Sequence, residues 1–212
     1  MEVKLDLHIH SEHSPDGRMA LDEIVACARA RGLQGVAVCD HDRALAETWD
    51  APDFLLIPGI ELSTDRGHLL GLFVTEQIEA RELGAAIDAV HACGGLAVMA
   101  HPFERSCALA QRAQKPVTAG SDAHLPEEIG NGVVTLEADA LTLPAVRAAL
   151  LRGATAVDGR RGKARYVAES QLTKRRRTHA GAAAYAKWAL FAAKCCLQDI
   201  TWKGETYHVL DR

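Results

Sequence analysis

Short apolar runs recur along the first 140 residues, and most of them end in a histidine or an acid with Gly or Pro close by. Runs of this length, separated by helical stretches, allow few folds other than strands inside a shell of helices. The spacing predicts strands over 3–9, 35–39, 54–62, 68–74, 96–100 and 131–136, with another beginning at 116–119. Helices are predicted over 21–31, 78–93 and 143–152. Nearly continuous apolar strands favour parallel pairing, so an α/β barrel-like architecture is expected, short for its type at 212 residues.

The ends of these runs carry the chemistry. His8 and His10 stand at i and i+2, which in a strand puts both imidazoles on one face. Asp16 follows in the turn Ser14-Pro15-Asp16-Gly17, and Asp40, His41 and Asp42 end the second run. Glu61 ends the third, His68 opens the next, and His101, Asp122 and His124 complete the set. Strand ends in parallel α/β folds converge on one face, where active sites form. Any one of these residues alone would read as a satisfied core histidine or a turn aspartate. Nine candidate ligands (His8, His10, Asp16, His41, Glu61, His68, His101, Asp122 and His124) recurring together read as a metal centre. Six imidazoles and three carboxylates without thiolate suit Mn, Zn or Fe, and nine ligands imply two or three divalent ions. Such ions neutralise phosphate oxygens and activate water, which is the machinery of phosphate-ester hydrolysis by a metal-activated hydroxide.

The ordered motifs HxH at 8–10, DH at 40–41, GIE at 59–61, AHP at 100–102 and GSDAH at 120–124 resemble the PHP (polymerase and histidinol phosphatase) superfamily. The wording DLHIHSEHSPDG and CDHD looks most like its TrpH-like metal-dependent phosphoesterase branch. The resemblance covers about residues 1–140 and implies a distorted (βα)7-type PHP barrel with a trinuclear site. By motif, one ion would take His8, His10, Glu61 and Asp122. A second would share Glu61 and take His68 and His101, and a third would use Asp16, His41 and His124. The resemblance suggests nucleotide substrates, either 3′,5′-bisphosphates or short oligoribonucleotides cut 5′ to 3′. Alternatives are a histidinol- or sugar-phosphate monoesterase, and a non-catalytic metal-stabilised scaffold.

The family places a helix, a strand and a second helix between AHP and GSDAH, and here only about thirteen residues remain. Either the barrel is compact and lacks a strand, or an internal stretch around 104–116 is missing. A missing strand would expose two sheet edges, which favours omission.

Glu61, His101 and Asp40 are the candidate catalytic residues, with Asp40 orienting a ligand or transferring a proton. Arg18, Arg105 and His13 are the candidate substrate contacts, the arginines as bidentate phosphate clamps. After Val157 the composition changes: Arg160 to Arg177 carry eight positive charges against Glu169, leaving about −11 for the rest of a chain of net charge −4. This divides the chain into a barrel, 1–157, and a basic, mainly helical C-terminal extension, 158–212, packed on it, with one helix over 166–198. The run could steer a polyanion or form a solvated helix face. Six cysteines without a CxxC pair and a charged start point to a reduced, cytoplasmic setting. A phosphorylated small molecule or short oligonucleotide is the expected partner, with no membrane and no obligate protein partner.

Overall fold

A computed structural model describes residues 1–47, 51–100 and 115–211. Its centre is an eight-stranded sheet in the order β5-β4-β3-β2-β1-β6-β7-β8. The strands are β1 Glu2–Ile9, β2 Gly35–Val38, β3 Leu55–Thr64, β4 Gly67–Leu72, β5 Leu96–Met99, β6 Gly132–Glu137, β7 Ala156–Arg160 and β8 Thr206–Asp211. Among the described residues the α-helices are α1 Leu21–Ala30, α2 Leu83–Ala92, α3 Leu143–Arg152, α4 Ala164–Arg177 and α5 Ala182–Ile200. The sheet is curled, because Val98 of β5, near one end of the order, lines the same cavity as Val157 of β7 and Tyr207 of β8. The mixed α/β, half-barrel architecture matches the expected fold class.

Pairing differs from the expectation of a parallel sheet. Only β1–β2 and β2–β3 are parallel. The β3–β4, β4–β5, β1–β6, β6–β7 and β7–β8 pairs are antiparallel. The reason is local. Thr64 and Gly67 face each other across a tight turn, with Gly67 at φ 119°, so β4 folds straight back on β3. Once helices cover an antiparallel sheet, its strands are as continuously apolar as parallel ones, and composition does not separate the two.

Helices α1, α2 and α3 each bury one stripe against the sheet. Ile24, Val25 and Ala28 of α1 pack with Val36, Val38 and Phe54. Ala86 and Val90 of α2 pack with Ile60, Leu62 and Val74. Val146, Ala149 and Leu150 of α3 pack with Leu5, Val134 and Leu136. Each fully buried aliphatic side chain of this kind contributes about 1.5–3 kcal/mol, so the apolar layer fixes the strand ends that carry the polar residues.

Several expected boundaries shift. Helix α2 starts at Leu83 rather than 78, because the Glu82 carboxylate accepts the N–H groups of Gly84 and Ala85 and caps it there. The single helix expected over 166–198 is two: His179 takes φ 50° and Gly181 starts α5, so the chain turns between them. Residues 116–119 form no strand, although Leu7 donates its N–H to the Ala119 carbonyl at 3.2 Å. The sheet runs through 157/158, since β7 straddles that position and β8 pairs with it. The question of a missing stretch at 104–116 falls largely outside the described residues. Among the described residues, no helix is long and apolar enough to cross a membrane.

Candidate metal centre

His8 lies near the end of β1 and His10 directly follows it; their buried Nε2 atoms lie 3.1 Å apart. The i, i+2 spacing therefore places both rings on one side, as the alternation of a strand requires. Beside β1 runs the segment 119–123, held by His10 N–H donating to the Ala123 carbonyl at 2.8 Å. Gly120 permits this approach, because a Cβ there would lie 2.4 Å from the Cβ of His8. Asp122 follows in the left-handed region at φ 54°, an uncommon conformation for a residue with a side chain. Its Oδ1 reaches His10 Nε2 at 3.1 Å and His8 Nε2 at 3.4 Å.

Glu61 is the hub. Its backbone is cross-linked to the end of β2, donating to the Asp40 carbonyl at 3.0 Å and accepting from Asp42 N–H at 2.8 Å. Its side chain is fully buried, and four imidazoles converge on it. His41 Nδ1, His10 Nε2 and His8 Nε2 lie 2.9, 3.3 and 3.5 Å from Oε2, and His68 Nδ1 lies 2.9 Å from Oε1. Asp16 closes the other side, with Oδ2 3.5 Å from His41 Nε2 and Oδ1 3.4 Å from His124 Nε2. Gly17 makes its turn, since a Cβ there would collide with the Ser11 carbonyl oxygen.

The electrostatics follow from burial and pairing. Burial lowers the His8 pKa. Burial would do the same to His10, but hydrogen bonds to Asp122 and Glu61 outweigh it and push that ring up to about 9. His41 likewise overcomes its desolvation through Asp16 and Glu61 and rises to about 10. Asp122 is only partly buried, and against that desolvation the imidazoles, His10 first, hold it down to about 2. Asp16 is held well below the usual carboxylate range by His124 and His41 against its burial. The pocket is thus a set of anionic carboxylates that stabilise positive charge between them.

These residues fit divalent metal ions. Three groups place ligand atoms within 4.8 Å of one another: His8/His10/Glu61/Asp122, His41/Glu61/His68 and His10/His41/His124. Asp16 Oδ1 is buried without a hydrogen-bond partner among the described residues, although a carboxylate oxygen in such a place calls for a cation or donor. Mixed imidazole and carboxylate donors suit Mn, Zn or Fe.

Eight of the nine expected ligands therefore lie together, and His101 lies outside the described residues, as does Arg105. The remaining candidates are placed elsewhere. Asp40 does not line the cavity; its oxygens accept from Ser11 N–H at 2.8 Å and Ser11 Oγ–H at 2.6 Å, so it braces the loop after β1 and is not aimed at a substrate. His13 pairs with Glu47 at 3.1 Å and Arg18 with Glu169 at 3.2 Å, both away from the cavity lining.

Three supporting residues escaped the sequence reading. Asp6, fully buried, accepts from Ser121 N–H at 2.8 Å and Gly130 N–H at 2.7 Å, which ties β1 to the Asp122 segment. Its burial pushes its pKa up to about 6, against these donors. Ser14 Oγ lies 2.9 Å from His10 Nδ1 and accepts from His41 N–H at 3.0 Å. Lys174 of α4 reaches Asp16 Oδ2 at 3.4 Å. The alternation that makes His8 and His10 share a face also includes Asp6, and this was the available signal for it. Nothing local announces Lys174.

The fold and the site define an α/β protein with a multi-histidine centre of metal-ligand character at its strand ends. Residues 6–113 match the family model of the PHP domain, and residues 101–155 match a second one described as PHP-associated. The chain belongs to the PHP domain family. It is similar to two uncharacterized proteins of Methanocaldococcus jannaschii. One is 33% identical over 106 residues, 48% of this chain and 40% of the relative. The other is 31% identical over 121 residues, 50% of this chain and 71% of the relative. The match thus spans less than half of the first relative's length. Among solved structures, a lesion-specific endonuclease from Pyrococcus furiosus shares the fold, with a TM-score of 0.54 and 17% identity over 74% of this chain and 58% of that one.

Proposed function

We propose that this chain is a metal-dependent phosphoesterase. The observation that carries the reading is the convergence of four imidazoles on the two oxygens of buried Glu61, beside a cavity of about 1230 Å³. Divalent ions held by these residues would supply Lewis acidity toward phosphate oxygens and toward water. The chain's own part is positioning. Glu61 belongs to two of the three ligand groups and so fixes their separation. Asp122 and His8 border the cavity, while Ser14 orients the His10 ring through Nδ1 and holds the His41 backbone N–H.

For the substrate we favour nucleotides, either 3′,5′-bisphosphates or short oligoribonucleotides. The support is the wall of the same cavity that carries Arg160, Arg161, Lys163 and Lys203 with Trp202 and Tyr207. The Arg160 guanidinium and Lys163 Nζ lie 5.5 and 5.2 Å from the centre of the Trp202 ring. Basic groups interleaved with aromatic ones suit phosphates joined to flat bases. A histidinol- or sugar-phosphate monoester needs only the metal end of the cavity.

The test combines metal analysis with a phosphate-release screen over bisphosphates, oligoribonucleotides, and histidinol and sugar phosphates. Bound divalent ions and preferred turnover of the nucleotides are expected. Preferred turnover of the sugar phosphates would replace the substrate assignment, and absence of both metal and turnover would overturn the reading.

A further inference from the structure

Helix α4 lines the cavity, and its Lys174 reaches a candidate ligand. Lys174 Nζ lies 3.4 Å from Asp16 Oδ2, the oxygen that also faces His41 Nε2 at 3.5 Å. The Asp16 side chain is 3% exposed and the Lys174 side chain 43%, so a partly solvated ammonium sits at the mouth of a buried carboxylate. The stem is not free to wander. Three residues further on, Arg177 donates to the carbonyls of Glu12 and Ser14 at 2.6 and 2.7 Å, and five residues before it Glu169 pairs with Arg18. Helix α4 is thereby fastened at both flanks of Lys174 to the loop that carries Asp16.

An ion held by Asp16, His41 and His124, whether through Oδ1 or Oδ2, would share the Asp16 carboxylate with this ammonium or displace it. Either outcome costs binding energy: sharing sets two positive charges within a few ångströms, and displacement breaks the Asp16 pair. We propose that Lys174 is a built-in cationic competitor at this group, so that the C-terminal helix sets how tightly it holds an ion. The group around His8, His10, Glu61 and Asp122 has carboxylates of its own and carries no such penalty. The Asp16 position is therefore the weak, exchangeable one, and α4 makes it so. This inference rests on the metal-centre reading above.

Mn²⁺ titration of the full chain by calorimetry tests it, with wild type beside Lys174→Met, Lys174→Gln and Lys174→Arg. Both neutral variants should tighten the weakest class of Mn²⁺ sites by roughly three- to tenfold, in keeping with the loss of a partly solvated charge next to a buried carboxylate. The tighter classes should stay within about twofold, and Lys174→Arg should resemble wild type. The partly exposed position tolerates these changes, and the glutamine variant guards against a folding defect particular to methionine. Intact uptake with an unchanged or weakened weak class would overturn the competitor role alone. Equal tightening of every class would also overturn it, by showing a general field effect. A wild-type chain that takes up no Mn²⁺ would overturn the metal reading, and this inference with it.

Discussion

Arg177 donates its Nη1 to the carbonyl oxygen of Ser14 at 2.7 Å, and this one bond links the basic helix to two of the candidate ligands. Ser14 Oγ touches His10 Nδ1 and accepts from the His41 backbone N–H, so the loop that Arg177 grips sets the direction of the His10 ring and anchors the chain at His41. Arg177→Met keeps much of the stem and removes the donors. It should lower stability by about 1–3 kcal/mol, the range for hydrogen bonds from a charged group. It should also weaken Mn²⁺ binding, the opposite sign from Lys174→Met three residues away. Urea denaturation and a Mn²⁺ titration check both; an unchanged midpoint would mean the loop holds itself.

Asp6 serves the other side of the centre. Its carboxylate is the acceptor for Ser121 and Gly130 N–H, and Asp122 follows directly in a left-handed conformation. In Asp6→Ala those N–H groups lose their buried acceptor, at a cost of about 1–3 kcal/mol each. Bound metal should fall in parallel, because the strained Asp122 loses its support. Asp6→Asn keeps the volume and one acceptor oxygen and should fall between. Thermal unfolding and metal content measured on the same samples decide; full metal content in Asp6→Ala would separate Asp6 from the site.

What was legible in the sequence was what local pattern encodes. Alternation placed His8 and His10 on one face, and the apolar runs ending at Asp40 and Glu61, with the one His68 opens, brought their ends together. Pairing direction was not legible, because covered antiparallel strands such as β3 and β4 are as apolar as parallel ones. Strand β7, Ala156–Arg160, was missed because its sequence AVDGR lacks a sustained apolar pattern and it is held by pairing with β6 and β8. Lys174 and Arg177 were visible only as charge. Their partners, Asp16 and Ser14, lie about 160 residues away, and only the folded chain brings them near.

Glu61→Gln tests the hub. The amide retains shape but carries no charge, and it turns one of two acceptor oxygens into a donor facing imidazoles. Activity should fall by more than the roughly 10–100-fold typical of residues that merely orient ligands. The loss should exceed that of His68→Ala, whose ring faces Oε1 and is exposed. Steady-state turnover with metal content for both variants provides the comparison. Near wild-type turnover of Glu61→Gln at full metal content would remove Glu61 from the shared position.

Stability should depend on pH in a way that metal removes. His10 and His41 have folded pKa values raised to about 9 and 10 by their carboxylate partners, above the usual 6.5. A raised value means that the folded state holds the proton more tightly. Its stabilisation is complete below about pH 6.5 and is lost as pH rises through 9 to 10. With a chelator present, the melting temperature should therefore fall between pH 7 and 10. Saturating Mn²⁺ replaces those protons and should flatten the fall. Buried Cys39, whose thiol is also pushed up, adds a loss at high pH in both arms and cancels in their difference. Parallel curves with and without Mn²⁺ would show that the imidazole protons and the metal do not share a site.

The basic wall separates nucleotides from small monoesters. Arg161 and Lys163 line the cavity without touching the ligand cluster, so changing them leaves the metal end intact. Helix α4 begins right after them, and its first N–H groups are already taken by the Asp199 carboxylate, at 2.7 Å from Ala164 and 3.2 Å from Arg165. The N-terminus of α4 is thus filled, and substrate attraction on this wall must come from the side chains. Replacing Arg161 and Lys163 together with alanine should raise KM for an oligoribonucleotide by about tenfold with kcat nearly unchanged, because ground-state binding is lost and the chemistry is not. The log–log salt dependence of KM should become shallower by up to about two, one unit for each phosphate contact removed. A sugar monophosphate has a single phosphate, which the metal end takes, and should show no change in either parameter. Equal KM values and equal salt slopes for the oligonucleotide would make the run a solvated face, and the substrate would then have to be sought among small monoesters.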